Sequence, residues 1–313
     1  MNKARNILFL VMIFSLFQYS CVERESTVLE APQNFGYTEI SGTVSGTLRK
    51  SNSPYLVKED IYVDNNKTLN VEPGTELYFE KNKSFIVNGN LFLLGTKDAP
   101  IRLLAYDDAW RGININNSEE SVIRFCVIDG TNNLDTDKSA VAVSNSNIII
   151  TNSIFSNNAS QYGGALNFDS SIVELYNNIF KENYAAYYGG AVLSTNSTLQ
   201  VINNTFFKNW CDNYGGGIVL FNSPSVIENN IFNNGNKTGN PGIASGSQDF
   251  SLVKSNYNFL STDVIAPGFI SEDDLHLHTN SPCRNAGNPA PEYNDSDGTQ
   301  NDQGAYGGPL GDW

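Results

Sequence analysis

The sequence predicts an all-β protein, a right-handed parallel β-helix of about ten coils, from two in-phase repeats and from composition. The first repeat starts at residues 152, 177, 203 and 229 and reads NSIFSNN, NNIFKEN, NNTFFKN and NNIFNNG. The second starts at residues 162, 188 and 214 and reads YGGAL, YGGAV and YGGGI. The chain also contains 43 Asn, a residue that disfavours helices and favours turns.

The repeat period is the length of one coil. The phenylalanines of the first motif are 25, 26 and 26 residues apart, and short β-branched runs lie between the motifs. Successive coils stack about 4.8 Å apart, so equivalent residues lie above one another. A buried ring column, contributing about 1.5–3 kcal/mol per ring, is therefore expected at Phe155, Phe180, Phe206 and Phe232. A second column, of Asn side chains that hold a turn, is expected at Asn158, Asn183 and Asn209.

The glycines and cysteines fit the same arrangement. The pairs at 163–164, 189–190 and 215–216 are expected to adopt positive φ or to let backbones approach closely. Cys126 and Cys211 lie three coils apart, too far for a disulfide. Together with Cys283 they are predicted to be buried free thiols.

The N-terminus has the pattern of an export signal. Residues 1–20 carry two basic residues and then an apolar run from Ile7 to Phe17, about half the length that a membrane span needs. The stretch FQYSC that ends at Cys21 resembles a bacterial lipobox, which implies acylation of Cys21. The alternative is an ordinary signal peptide in which Cys21 has no role. Residues 21–36 are polar and are interpreted as a tether, and residues 37–313 as a single domain.

Charge and anchoring restrict the partners. The net charge is −14, and an acidic protein is a poor ligand for nucleic acid or for anionic membrane surfaces. Membrane contact is therefore expected through the N-terminal lipid alone. The resemblance of residues 17–21 to a lipobox implies an outer membrane lipoprotein of a Gram-negative bacterium, exposed at the cell surface. We also expect a monomer.

The repeats resemble those of a known family. FSNN, FKEN and FFKN with GGAL, GGAV and GGGI are similar to the FxxN and GGA[ILV] repeats of polymorphic outer membrane proteins, over about residues 140–235. The resemblance implies a pectin-lyase-like β-helix at the cell surface, and many proteins with that fold bind or cleave polysaccharide. The autotransporter role of the family is not implied. Residues 55–105 resemble the opening coils of bacterial surface β-helix proteins. Residues 278–309 resemble their closing segment, so we expect a C-terminal cap at about 270–313.

Aromatic residues between the two motifs are the candidate ligand-binding site. Rings that face outward would form a platform for sugars, with acidic side chains accepting hydrogen bonds from sugar hydroxyls. The candidates are Tyr162, Tyr184, Tyr187, Tyr188, Trp210 and Tyr214, with Glu182 and Asp212. In the alternative, the rings pack on one another and only brace the turn.

Evidence for catalysis or for a metal is weaker in the sequence. A glycosidase needs two carboxyl groups about 5–10 Å apart, and within residues 140–235 no two carboxylates share a column in adjacent coils. We therefore expect a non-catalytic protein that binds a polysaccharide, a cell-surface glycan or another extracellular surface. The alternatives are a polysaccharide lyase or glycoside hydrolase of the pectin-lyase-like fold, and a structural envelope or adhesin protein without a small ligand.

Two short segments near the C-terminus contain possible metal ligands. Asp295, Asp297 and Asp302 resemble part of a Ca²⁺ loop, or form an Asx-type turn. His276 and His278 alternate along the chain, which favours a strand of the cap over a metal pair.

Overall fold

The structure is a computed structural model that describes residues 36–236, 242–246, 250–261 and 265–313. The signal segment, Cys21 and nearly all of the tether lie outside the described residues. Within the described residues the regular structure is β, apart from two 3-10 turns at Lys50–Asn52 and Pro291–Tyr293. Every strand-to-strand pairing is parallel, because each strand pairs with the equivalent strand of the next coil.

The strands form two sheets that run the length of the solenoid. The nine-stranded sheet contains β2 (Gly46–Leu48), β4 (Thr68–Val71), β7 (Asn90–Leu94), β10 (Ser121–Arg124), β14 (Asn147–Thr151), β18 (Ile172–Tyr176), β22 (Thr198–Ile202), β25 (Ser225–Glu228) and β28 (Val253–Asn256). Nine strands delimit about eight full turns, so the expected coil number of about ten was slightly too high.

The second sheet has 20 strands and bends around the rest of each coil. Its first ten strands are β1 (Thr38–Thr43), β3 (Tyr55–Val63), β5 (Glu76–Phe79), β6 (Phe85–Val87), β8 (Ile101–Ala105), β9 (Ile113–Asn116), β11 (Cys126–Asp129), β12 (Asn132–Asn133), β13 (Val141–Ser144) and β15 (Ile154–Ser156). The others are β16 (Ala159–Tyr162), β17 (Leu166–Asp169), β19 (Ile179–Lys181), β20 (Tyr184–Tyr188), β21 (Val192–Thr195), β23 (Thr205–Cys211), β24 (Ile218–Phe221), β26 (Ile231–Asn236), β27 (Ile243–Ser245) and β29 (Phe259–Leu260).

The predicted phenylalanine column is confirmed. Phe155, Phe180, Phe206 and Phe232 are at most 1% exposed and stack with ring centroids 5.3, 4.8 and 4.6 Å apart. They lie in one continuous core that fills the inside of the solenoid. Alternate residues of each strand point inward, which is why the period-2 pattern produces one apolar interior and two polar outer faces.

The predicted asparagine ladder is confirmed and extends further. The Nδ2 of Asn158 donates to the Oδ1 of Asn183 at 3.0 Å, and Asn183 repeats the contact with Asn209 at 2.9 Å. The ladder continues to Thr131 at one end and to Asn234 at the other. A second ladder, not expected from the sequence, connects Asn178, Asn204, Asn230 and Asn258.

The glycine pairs have the two expected roles. Gly163, Gly189 and Gly215 adopt φ values of 61°, 66° and 76°, a region that favours glycine. In the second position, a Cβ on Gly164 would lie 2.2 Å from the carbonyl oxygen of Gly190. The three cysteines after residue 36 are free and buried, as predicted.

The C-terminal segment lies along the flank of the solenoid. We call residues 285–313 the C-terminal strap. It crosses a column of left-handed asparagines that begin the four repeats, whose φ values are 48–59°. From the last repeat to the first these are Asn229, Asn203, Asn177 and Asn152. Their side chains bond to the strap at Asn288, Asn301, Ala305 and Leu310. The segment that was expected to form a C-terminal cap thus contacts four successive coils along the side of the solenoid.

Candidate functional site

The residues before each glycine pair are placed on the outside of the 20-stranded sheet. In β20, Ala185 is buried, whereas Tyr184 and Tyr188 at the two ends of the strand are half-buried and face outward. Gly189 then turns the chain with φ of 66° into β21. Because each coil repeats this turn, an aromatic ring at residue 162 lies beside the one at residue 188 in the next coil.

Tyr162 and Tyr188 form one wall of a groove of about 550 Å³. The groove lies over the outward faces of β13, β17 and β21, next to the glycine turns. Its aromatic lining is Tyr162, Tyr188 and Phe221. The rest of the lining is Asp137, Lys138, Ala142, Val143, Ser144, Asn167, Asp169, Leu193, Thr195 and Asn196.

The rings of the groove hold one another in place. Tyr162 and Tyr188 are stacked, with centroids 6.0 Å apart and planes 21° apart. Tyr187 lies 5.3 Å from Tyr162 and is 46% exposed, and Phe221 meets Tyr188 edge-on at 5.5 Å. Tyr214 belongs to the same apolar cluster. These contacts show that the rings brace one another, and the braced rings present a fixed surface to the groove.

The groove contains two carboxylates and one ammonium group. Asp169 ends β17 and is exposed, whereas Asp137 and Lys138 come from the loop between β12 and β13. The Nδ2 of Asn167 donates to the backbone oxygen of Asp137 at 3.4 Å, which ties that loop to the groove floor. Sequence reasoning missed Asp137 and Lys138 because they precede the repeats and share no column with them. Amides, hydroxyls, carboxylates and stacked rings together suit a ligand with many hydroxyl groups.

Tyr184 and Trp210 are arranged differently from the groove tyrosines. They are register partners in adjacent coils. The Oη of Tyr184 donates to Asp212 at 2.8 Å, and the Nε1 of Trp210 donates to the same carboxylate at 3.0 Å. These hydrogen bonds favour the bracing role for Tyr184, Trp210 and Asp212.

Glu182 lies in a turn, with φ of 56°. Its charge acts on Asp129, a buried carboxyl that accepts hydrogen bonds from Ser156 and Asn157. Burial, and secondarily the charge of Glu182, raise the pKa of Asp129. Lys208, one repeat period after Glu182 in the sequence, forms an ion pair with Glu272 at 2.6 Å.

The C-terminal aspartates are engaged in turns. Asp295 accepts hydrogen bonds from the backbone N–H groups of Asp302 and Gly308, and burial raises its pKa. Asp297 accepts from Thr299, and Asp302 from the backbone of Asn285. In the described part of the chain, no group of three or more His, Cys, Asp or Glu is placed to hold a metal ion. His276 stacks on Tyr306 with centroids 3.6 Å apart and bonds to Asp274.

Comparison with known proteins agrees with this architecture. Residues 105–259 match the family model described as a right handed beta helix region. The match and the stacked parallel strands agree on a right-handed parallel β-helix fold for this chain. A stretch of 98 residues, 30% of the chain, is 34% identical to Protein bark beetle of Drosophila melanogaster. The chain matches only 3% of that protein's length.

Proposed function

We propose that this protein is a lipid-anchored cell-surface β-helix that binds carbohydrate in the groove beside Tyr162 and Tyr188. The observation that carries the proposal is the groove itself, which places two stacked rings above amide, hydroxyl and carboxylate side chains. Sugars present apolar C–H faces and a rim of hydroxyl groups, which match such a surface. The stacked rings also need no ordering when a ligand binds.

Binding is tested with Tyr188→Ala, in a soluble form that begins near residue 37. A glycan array on the unchanged protein identifies the ligands. We expect the variant to lose about tenfold in affinity for them, since a stacking ring contributes up to about 1.5 kcal/mol and about 1.4 kcal/mol corresponds to tenfold. The matched control is Tyr257→Ala, which removes a ring that is 46% exposed and is not part of the groove.

Three results would contradict or redirect this proposal. Equal affinity of both variants and the unchanged protein would place binding elsewhere. If no glycan binds at all, the carbohydrate proposal fails. Release of new reducing or unsaturated ends would favour a hydrolase or lyase instead. For that alternative, the specific observation is that Asp137 and Asp169 line the same groove.

Anchoring is proposed from the N-terminal sequence. The basic residues, the short apolar run and the junction of Ser20 with Cys21 support acylation of Cys21. The described residues include no helix that is long and apolar enough to cross a membrane.

Replacing Cys21 with Ala is expected to move the protein from the membrane fraction to the soluble fraction, because it removes the acylated thiol. Cell fractionation with detection of the β-helix domain measures the shift. As a control, Ser20→Ala keeps a small residue before the thiol and should leave the protein in membranes. A wild-type protein that is soluble without detergent would contradict the anchor.

A further inference from the structure

A column of polar side chains continues the floor of the groove toward the N-terminal coils. On the groove floor it consists of Ser144, Asp169 and Thr195, which are register partners in successive coils. Ser144 is in turn the partner of Asn116 in the preceding coil. The Nδ2 of Asn116 donates to the Oδ1 of Asn88 at 3.3 Å, one coil further. We call these five residues the polar strip.

The polar strip lies on the outer surface and is open to solvent. Asp169 is exposed, and Asn88, Asn116, Ser144 and Thr195 are half-buried. Neighbouring members are one coil apart, roughly 4.8 Å along the solenoid axis. This spacing is close to the rise of one unit in an extended pyranose chain. Each coil can therefore offer one hydrogen-bonding side chain to one sugar unit.

One end of the polar strip is blocked by an aromatic ring. Phe221 is the register partner of Thr195, and its ring meets Tyr188 edge-on. The ring also covers Gly246, where an added Cβ would lie 1.8 Å from the Cε1 of Phe221. The opposite end, at Asn116 and Asn88, lies outside the groove.

We infer that the ligand is a linear, uncharged oligosaccharide that lies along the solenoid axis, from Phe221 past the groove to Asn116 and Asn88. This inference rests on the proposed function. The two carboxylates of the groove disfavour acidic sugars. Because the polar strip offers one contact per coil, the protein recognises the length of the oligosaccharide.

The inference is tested with two oligomer series, β-1,4-linked glucose and β-1,4-linked N-acetylglucosamine, from dimer to hexamer. In the series that binds, affinity should rise with length up to about five units, the length of the polar strip. Asn116→Ala should weaken the hexamer roughly fivefold, about one hydrogen bond, and leave the dimer unchanged. The matched control is Asn147→Ala on the other sheet, which also loses one side-chain hydrogen bond.

The possible results separate the two proposals. Equal affinity for dimer and hexamer, or equal weakening of both by Asn116→Ala, overturns the polar strip and leaves groove binding intact. If no oligomer of either series binds, the inference about the polar strip is overturned. If the glycan array is negative as well, the proposed function is also overturned. A control variant that weakens the hexamer as much as Asn116→Ala does would show that the effect is structural, which also overturns the strip.

Discussion

Phe180→Ala is expected to lower the free energy of unfolding by about 3–5 kcal/mol, the usual cost of truncating a buried aromatic residue. Phe180 is fully buried, and its ring lies between Phe155 at 5.3 Å and Phe206 at 4.8 Å. The substitution removes the ring from the middle of a stack whose neighbours are fixed by backbone pairing on both sides. The cavity can therefore collapse only a little. Urea unfolding followed by circular dichroism measures the loss.

The control for this prediction is Tyr187→Ala. Tyr187 is 46% exposed and lies on the outer surface of β20, in the same coil as Phe180. Its loss should cost much less than that of Phe180, because it removes an exposed ring and one ring contact, with Tyr162, which is worth about 0.5–1.5 kcal/mol. Equal costs for the two variants would contradict a core that depends on the ring column.

The stacked columns could be predicted because the solenoid converts sequence period into space. Once the period is known, Phe155 must lie beside Phe180, and Asn183 beside Asn209, whatever the details of the turns. The second asparagine ladder was not predicted, although it follows the same period. It is formed by the second residue of the Asn pairs at 177–178, 203–204 and 229–230. The first residue of each pair contacts the strap. The strap is not part of the repeats, so these contacts could not be predicted from the repeat period.

The candidate site was predicted only where it follows the repeats. Tyr162 and Tyr188 share a column, so their pairing was visible in the sequence. The role of Asp212 was not, since the sequence does not show that Tyr184 and Trp210 both donate to it. Asp137 reaches the groove from a loop, and a loop's path depends on contacts such as that of Asn167 rather than on a period.

The strap connects coils that do not otherwise contact one another. In a solenoid each coil contacts the coils next to it, so stability is transmitted locally. The strap instead reaches from the coil of Asn229 to that of Phe125, whose ring lies 6.1 Å from Trp313. Beside this polar column, Tyr306 and Trp313 of the strap pack against a buried cluster that includes Ile179 and Phe207 of the coils. Loss of the strap should therefore weaken several coils at once.

Asn203 is the most connected residue beneath the strap. Its Nδ2 lies within hydrogen-bond distance of Asn301 Oδ1 and of the carbonyl oxygens of Asp302 and Gly304, at 2.9–3.2 Å. Its Oδ1 accepts a hydrogen bond from the Nδ2 of Asn301 at 3.1 Å. Both amides are buried. Removing the Asn203 side chain takes the donor away from the Oδ1 of Asn301, whereas the Nδ2 of Asn301 keeps its hydrogen bond to the carbonyl oxygen of Tyr293.

Asn203→Gly is expected to destabilise the protein by about 2–3 kcal/mol, the cost of leaving buried polar groups unpaired. Glycine tolerates the φ of 55° at this position, so the substitution tests the side chain and not the turn. The control is Asn145→Gly, an exposed asparagine with φ of 50°, which should change stability by less than about 0.5 kcal/mol. Amide hydrogen exchange should become faster in residues 285–313 than in the coils. If Asn203→Gly instead speeds exchange equally in the strap and in all coils, the side chain supports the coil itself and the strap is not held by this column.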